Sequence, residues 1–116
     1  MDYPPDATFY VRLSLMVPKP GKLDEVLELH RKLVEWLAGQ PGFVRGYVIT
    51  GDHWGRVGHL NVYRSERDAD HAAQTDHVLS VRSELLRLID DESHVERFYT
   101  AQDPQLAAKP VGPTTT

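Results

Sequence analysis

The sequence predicts an α+β domain whose elements follow the order βαββαβ, with two helical regions on one face of an antiparallel sheet. Three observations lead to this fold class. Four short runs alternate apolar and polar side chains, two longer stretches repeat apolar residues at helical spacing, and turns containing glycine or proline separate most of them. A chain of 116 residues is long enough for one compact domain of this kind.

The first strand and the first helix have clear limits in the sequence. Residues 8–17 alternate in the manner of a strand, and the prolines and glycine of residues 18–21 end it because proline cannot donate to a strand ladder. Residues 22–38 follow as an amphipathic helix with charged side chains between the apolar ones. The glycines and proline of residues 39–42 then stop this helix.

A hairpin and a second helical region come next. Residues 43–50 and 57–64 are predicted strands, and the glycine-containing loop 51–55 joins them. Ser65 is a good N-cap for a helical region that extends to about residue 90. Either this region is one helix, or Thr75 caps a separate second segment.

A final strand over residues 94–101 closes the ordered domain, which spans residues 8–101. We expect residues 1–7 to be flexible, and also the tail of residues 102–116, which contains three prolines and a threonine run. The complete order of elements is the ferredoxin-like split βαβ arrangement.

Apolar side chains occur on both faces of the predicted sheet. In the first strand Val11 and Leu13 lie on one face, and Tyr10 and Met16 lie on the other. Two helical regions cover only one face of the sheet. If the other face were exposed to solvent, the apolar and polar side chains would be divided more cleanly between the two faces. The sequence therefore predicts a homodimer in which a second copy covers the free face, with simple exposure of these residues as the alternative.

Composition and charge exclude several classes of protein. A net charge of −4 argues against a nucleic-acid partner, which favours a basic face. The absence of cysteine excludes disulfides and thiolate metal sites. No apolar run approaches the length of a membrane span and no signal-peptide pattern begins the chain, so we expect a cytoplasmic protein with no membrane association.

Several segments resemble the antibiotic biosynthesis monooxygenase family of the dimeric α+β barrel superfamily. They are residues 18–22 (Pro-Lys-Pro-Gly-Lys), the helix containing Leu29 and His30, residues 40–44 (Gln-Pro-Gly-Phe-Val), residues 61–66 (Asn-Val-Tyr-Arg-Ser-Glu) and residues 75–77 (Thr-Asp-His). The resemblance covers residues 8–101 and implies the dimeric barrel fold. Its motifs specify that fold better than they specify an activity.

The resemblance implies a cofactor-independent monooxygenase that oxidises a quinol or polyphenolic aromatic with dioxygen and uses no metal or prosthetic group. Two alternatives remain open, namely a module that binds haem or a hydrophobic ligand without turnover, and a structural or regulatory dimer. The chain departs from the family where Asn61 and Ala72 replace the usual acidic residue and histidine, with His71 one place earlier, and where Asp76 replaces a proline. The strand and tryptophan features of the haem-degrading branch are missing, which disfavours that activity.

The candidate site is a pocket between the sheet and the helices that holds a small aromatic molecule. We expect catalytic roles for His77, Asn61 and His71, and substrate-binding roles for Arg12, Ser14, His30, His59 and Tyr63. A histidine would take a phenolic proton near neutral pH, and Asn61 and Arg12 would stabilise the oxyanion. No sequence spacing typical of a metal site is present, so no metal is expected.

Each of these residues also has a simpler interpretation. His30 lies on the apolar stripe of its helix and could be a packing residue, while His77 lies at the edge of its helix and could face solvent. Arg12 could be an ion-pair partner within the sheet. A shift of one residue in strand register would turn the polar set away from the helices and into the dimer interface.

Overall fold

The computed structural model describes residues 8–105 as three helices packed on a four-stranded sheet. The elements are β1 (Thr8–Met16), α1 (Leu23–Leu37), β2 (Phe43–Ile49), β3 (Val57–Tyr63), α2 (Glu66–Ala73), α3 (Asp76–Leu88), a short 3₁₀ turn (Asp91–Ser93) and β4 (Val95–Gln102). The predictions of flexibility for residues 1–7 and for the end of the tail lie outside the described residues. Among the residues described, no helix combines the length and the apolar character that crossing a membrane requires.

The sheet has the strand order β2-β3-β1-β4, and every neighbouring pair is antiparallel. The predicted α+β class and its βαββαβ arrangement are confirmed. β1 is a central strand, so its side chains have neighbours on both sides. Arg12 pairs with Asn61 and Ser14 pairs with His59, which places the polar residues of β1 and β3 next to one another.

The second helical region is divided at Thr75, as one of the two sequence interpretations allowed. Ser65 caps α2, because its Oγ accepts a hydrogen bond from the backbone N–H of Asp68 at 3.1 Å. Thr75 caps α3 in the same way, through the N–H of Val78. The break gives α2 and α3 different inward faces, built on Ala69 and Ala72 in α2 and on Val78 and Leu85 in α3.

Two apolar clusters hold the helices to the sheet. The first contains Leu33, Leu37, Tyr63, Ala69, Ala72 and Val78. The second contains Met16, Val26, Val57, Leu85 and Ile89. The sheet contributes Met16, Val57 and Tyr63, so the face that carries them is the one that the helices cover. This assigns the face that the sequence alone left open.

The opposite face of the sheet points away from the helices and is largely apolar. Strand alternation places Val11, Leu13 and Leu15 on it, and Leu60 pairs with both Leu13 and Tyr47. Tyr47 and Tyr99 are each about half exposed in the single chain. We call this surface the open face.

Candidate functional site

A cavity of about 90 Å³, partly open to solvent, lies between the sheet and the helices. Its polar lining consists of Arg12, Ser14, His59, Asn61, Arg82, His94 and Glu96. The apolar lining comes from both core clusters, including Met16, Leu33 and Leu85. The site is therefore mostly apolar with a few convergent polar groups, which is typical of pockets for small molecules.

Strand pairing brings the predicted polar residues of β1 and β3 together in this wall. Arg12 and Ser14 lie two residues apart on β1, and their partners Asn61 and His59 lie two residues apart on β3. All four side chains therefore point to the same face of the sheet. Tyr63, two residues further along β3, also lines the cavity.

Asn61 is the most unusual residue of the wall. It is 2% exposed, and its Oδ1 is the only buried side-chain nitrogen or oxygen atom in residues 8–105 without a hydrogen-bond partner. Leaving such an acceptor unpaired costs about 1–3 kcal/mol. Burial raises the pKa of the neighbouring Tyr63 hydroxyl, while the charge of Arg12 and a hydrogen bond from Asn61 act in the opposite direction.

His59 in the cavity wall pairs with His30 of α1, which the sequence placed in the pocket but which does not itself line the cavity. His30 on α1 is fully buried, and its Nδ1 lies 3.0 Å from Nδ1 of His59. On the other side of its ring, Nε2 of His30 lies 3.4 Å from Sδ of Met16. Burial, with the neighbouring histidines, lowers the pKa of His30 to about 4 and that of His59 to about 3, so both rings are neutral at pH 7.

His94 completes the polar lining, and the sequence interpretation did not include it. Its Nε2 lies 3.2 Å from Oγ of Ser14. It directly precedes β4, which pairs with β1, so the expected topology already places the start of the last strand beside the end of the first. That adjacency was the signal that could have identified His94.

A cluster of three charged side chains, Arg12, Arg82 and Glu96, lies at one side of the cavity. Glu96 is 3.7 Å from Nη2 of Arg12 and 4.0 Å from Nη2 of Arg82. The guanidinium of Arg12 also lies 5.0 Å from the ring centre of Phe98, and its Nη1 is 3.5 Å from the carbonyl oxygen of Ala69. Two cations thus share one carboxylate, which leaves a net positive charge at this side of the cavity.

His71 and His77, which the sequence placed in the pocket, do not line the cavity. His71 is exposed on α2, because Ala69 and Ala72 form the inward face of that helix. His77 stacks on Trp36 with ring centres 4.3 Å apart, and it too is exposed. The break at Thr75 gives α3 an inward face built on Val78, which leaves His77 on its flank.

The described residues contain no cluster of three histidine, aspartate or glutamate side chains that could hold a metal ion. The histidines His30, His59 and His94 approach one another, but each is already engaged with a neighbouring side chain.

The fold is shared with several solved structures of similar length. A candidate antibiotic biosynthesis monooxygenase from Nitrosomonas europaea superposes with a TM-score of 0.73 at 20% identity, over 88% of this chain and 97% of that one. SnoaB, a cofactor-independent oxygenase from Streptomyces nogalater, gives a TM-score of 0.65 at 20% identity over 84% and 95% of the two chains. A conserved protein from Methanosarcina mazei gives 0.70 at 18% identity, over 82% and 93%.

No family model matches the sequence, and no curated protein matches it. At identities of 20% or less, the structural similarity establishes the fold. The resemblance to the antibiotic biosynthesis monooxygenases is thereby confirmed at the level of the fold.

Proposed function

We propose that this protein is a cofactor-independent monooxygenase that oxidises a phenolic or quinol-type aromatic molecule with dioxygen. The observation that carries the proposal is the unpaired, buried Oδ1 of Asn61 in a cavity wall that also holds His94 and Arg12. A substrate hydroxyl that donates to this oxygen, once the amide turns from Gly46 toward the cavity, would offset the cost of leaving it unpaired. The same fold in SnoaB, itself a cofactor-independent oxygenase, supports the assignment of the reaction class.

The first chemical step is removal of a phenolic proton. His94 is the base in this scheme, because it lines the cavity and contacts Ser14 rather than the buried histidine pair. His59 is a weaker candidate, since a histidine whose pKa is lowered to about 3 holds a proton poorly at neutral pH. Arg12 would stabilise the phenolate that remains.

The phenolate then reacts with dioxygen. One electron passes from the ring to dioxygen, and the two radicals combine at a ring carbon that bears hydrogen, ortho or para to the hydroxyl, to form a hydroperoxide. That carbon loses its hydrogen as a proton, the O–O bond breaks, and water leaves. One phenol and one dioxygen give one quinone and one water, and one quinol and one dioxygen give one hydroxyquinone and one water, so dioxygen is the only oxidant.

The size of the cavity limits the substrate. A cavity of about 150 Å³ holds one benzene molecule, and the cavity here measures about 90 Å³. One aromatic ring therefore enters only with part of its edge outside the enclosed volume. Further rings of a polycyclic substrate would lie outside.

We also propose that the protein is a homodimer that buries the open face. The support is the apolar character of this face, where Leu13 and Leu60 are neighbours and Tyr47 is about half exposed. A cytoplasmic location stays a prediction.

The test is oxygen consumption by the purified protein with naphthohydroquinone and related quinols. We expect uptake faster than in buffer, with one dioxygen consumed for each ring carbon oxygenated. Binding of these quinols without any acceleration would instead support a ligand-binding module. A shift of the Soret band on titration with haem would instead support a haem-binding module.

A further inference from the structure

The contact between His30 and Met16 has a defined direction. A thioether sulfur accepts hydrogen bonds and has no proton to donate. The approach of His30 Nε2 to Met16 Sδ at 3.4 Å is therefore favourable only when Nε2 carries the proton. A neutral imidazole has a single N–H, so Nδ1 of His30 is then an acceptor.

The acceptor role of His30 Nδ1 also determines which nitrogen of His59 carries the proton. Its Nδ1 lies 3.0 Å from the acceptor Nδ1 of His30, so the proton between the two rings belongs to His59. The pKa values of both histidines are lowered far below neutrality, in agreement with two uncharged rings. With its proton on Nδ1, His59 has a lone pair on Nε2, which has no hydrogen-bond partner in residues 8–105 and is not sealed from solvent.

We infer that Met16 and His30 fix His59 in the Nδ1–H tautomer, so that its Nε2 lone pair and the unpaired Oδ1 of Asn61 make the cavity selective for ligands that donate hydrogen bonds. This inference deepens the proposed function and rests on it for the identity of the cavity as the ligand site. His30 acts through His59 and is a positioning residue.

The selectivity separates the two redox states of the proposed substrate. A quinol carries hydroxyl donors that satisfy Nε2 of His59 or Oδ1 of Asn61. A quinone or a methyl ether of the same ring presents acceptors only, which leaves both protein acceptors unpaired. The cavity therefore binds the quinol more tightly than the quinone or the ether of the same ring.

The tautomer is tested by long-range proton–nitrogen correlation NMR of the imidazole rings in the unliganded protein at pH 7. We expect His59 protonated on Nδ1 and His30 on Nε2. His59 protonated on Nε2 in the unsubstituted protein would overturn the inference. This measurement needs neither substrate nor turnover.

Variants of His30 and Met16 test the positioning role. His30→Gln retains an acceptor for His59 and should preserve its tautomer, whereas His30→Leu removes the acceptor and should abolish the preference. Met16→Leu tests the same role if the His30 variants fold poorly, because it is a substitution of similar volume that cores tolerate well. It should leave His59 in a mixture of tautomers. An unchanged His59 spectrum in folded Met16→Leu would contradict the role of the sulfur.

Selectivity is measured by calorimetric titration without oxygen, comparing naphthohydroquinone with its dimethyl ether and with naphthoquinone. We expect the quinol to bind at least about tenfold more tightly than either, and Met16→Leu to reduce that ratio. Equal affinities would refute the selectivity. A quinol preference without oxygen uptake would uphold this inference and contradict only the proposed turnover.

Discussion

A Cβ atom on Gly46 would lie 2.6 Å from Oδ1 of Asn61, its partner across the β2–β3 pairing. Side-chain atoms of Phe43 and Val34 would each lie 2.8 Å from this added Cβ. All three distances are shorter than real Cβ contacts. The amide of Asn61 therefore keeps its position only because residue 46 has no side chain.

Gly46→Ala should displace the Asn61 amide and weaken quinol binding about tenfold or more, at a cost to stability of about 1–3 kcal/mol from overpacking. The measurement is calorimetric titration together with denaturant unfolding. Gly51→Ala is the matched control, since nothing lies within 4 Å of its added Cβ. Equal behaviour of the two variants would show that the Asn61 position does not depend on Gly46.

Asn61→Leu should raise the free energy of unfolding by about 1 kcal/mol while it weakens quinol binding about tenfold or more, because it removes an unpaired buried acceptor. Chemical denaturation and titration of the same preparation would show the two effects together. A variant that is less stable by more than the roughly 1 kcal/mol of the lost hydrogen bond to Tyr63 would indicate that Oδ1 is satisfied in solution, for example by water.

His94→Gln should lower the rate of quinol oxidation by a factor of about 10²–10⁴, the usual contribution of a general base. His71→Gln and His77→Gln should retain the rate, since neither side chain lines the cavity. Steady-state oxygen uptake distinguishes these outcomes. A loss confined to His77→Gln or His71→Gln would restore the roles that the sequence predicted for those residues.

Stability should fall as the pH is lowered from 6.5 toward 5. The pKa values of His30 and His59 are about 4 and 3 in the folded protein, against 6.5 in the unfolded chain, so the unfolded chain takes up protons first. The contribution of the two histidines to the free energy of unfolding is fully present above pH 6.5. Below that pH, each histidine lowers the free energy of unfolding by up to about 1.4 kcal/mol per pH unit.

The double variant His30→Gln/His59→Gln isolates this effect, because the difference between its pH profile and that of the unsubstituted protein cancels the contributions of the other groups. Urea denaturation at several pH values measures both. Identical slopes would mean that the two histidines are protonated alike in the folded and unfolded states.

Leu60→Glu should convert the proposed dimer to monomers, because it places a charge in the middle of the open face. Leu79→Glu is the control, since Leu79 is 48% exposed on α3 and lies on the helical side. Sedimentation equilibrium gives the mass of each. A monomeric unsubstituted protein at working concentrations would remove the dimer from the proposal.

The order of the elements could be predicted from the sequence because each is encoded locally, by alternation in β1 and by helical spacing in α1. The split at Thr75 was also visible as a capping residue, although the sequence did not decide between one helix and two. The orientation of the sheet could not be predicted, since both faces of β1 carry apolar residues and only packing against the helices distinguishes them.

The candidate site could be predicted in part, because strand alternation is also encoded locally in the sequence. Asn61, His59, Arg12 and Ser14 share one face by strand alternation, so their convergence followed once that face was assigned. His94 was missed because its place depends on the 3₁₀ turn before β4 and on a partner, Ser14, that lies 80 residues away in the chain. The close approach of Asn61 Oδ1 to Gly46 likewise depends on the pairing of β2 with β3 across the sheet.

The position of β4 has a consequence for the way the chain is made. Ribosomal synthesis proceeds from the amino end, and Val95–Gln102 emerges after every other described element. Until then one edge of β1 lacks its strand partner, and the nascent chain has neither His94 nor Glu96 to complete the cavity. A nascent chain halted before residue 94 should therefore expose an unpaired strand edge that favours chaperone binding, and it should acquire protease resistance only once β4 has docked.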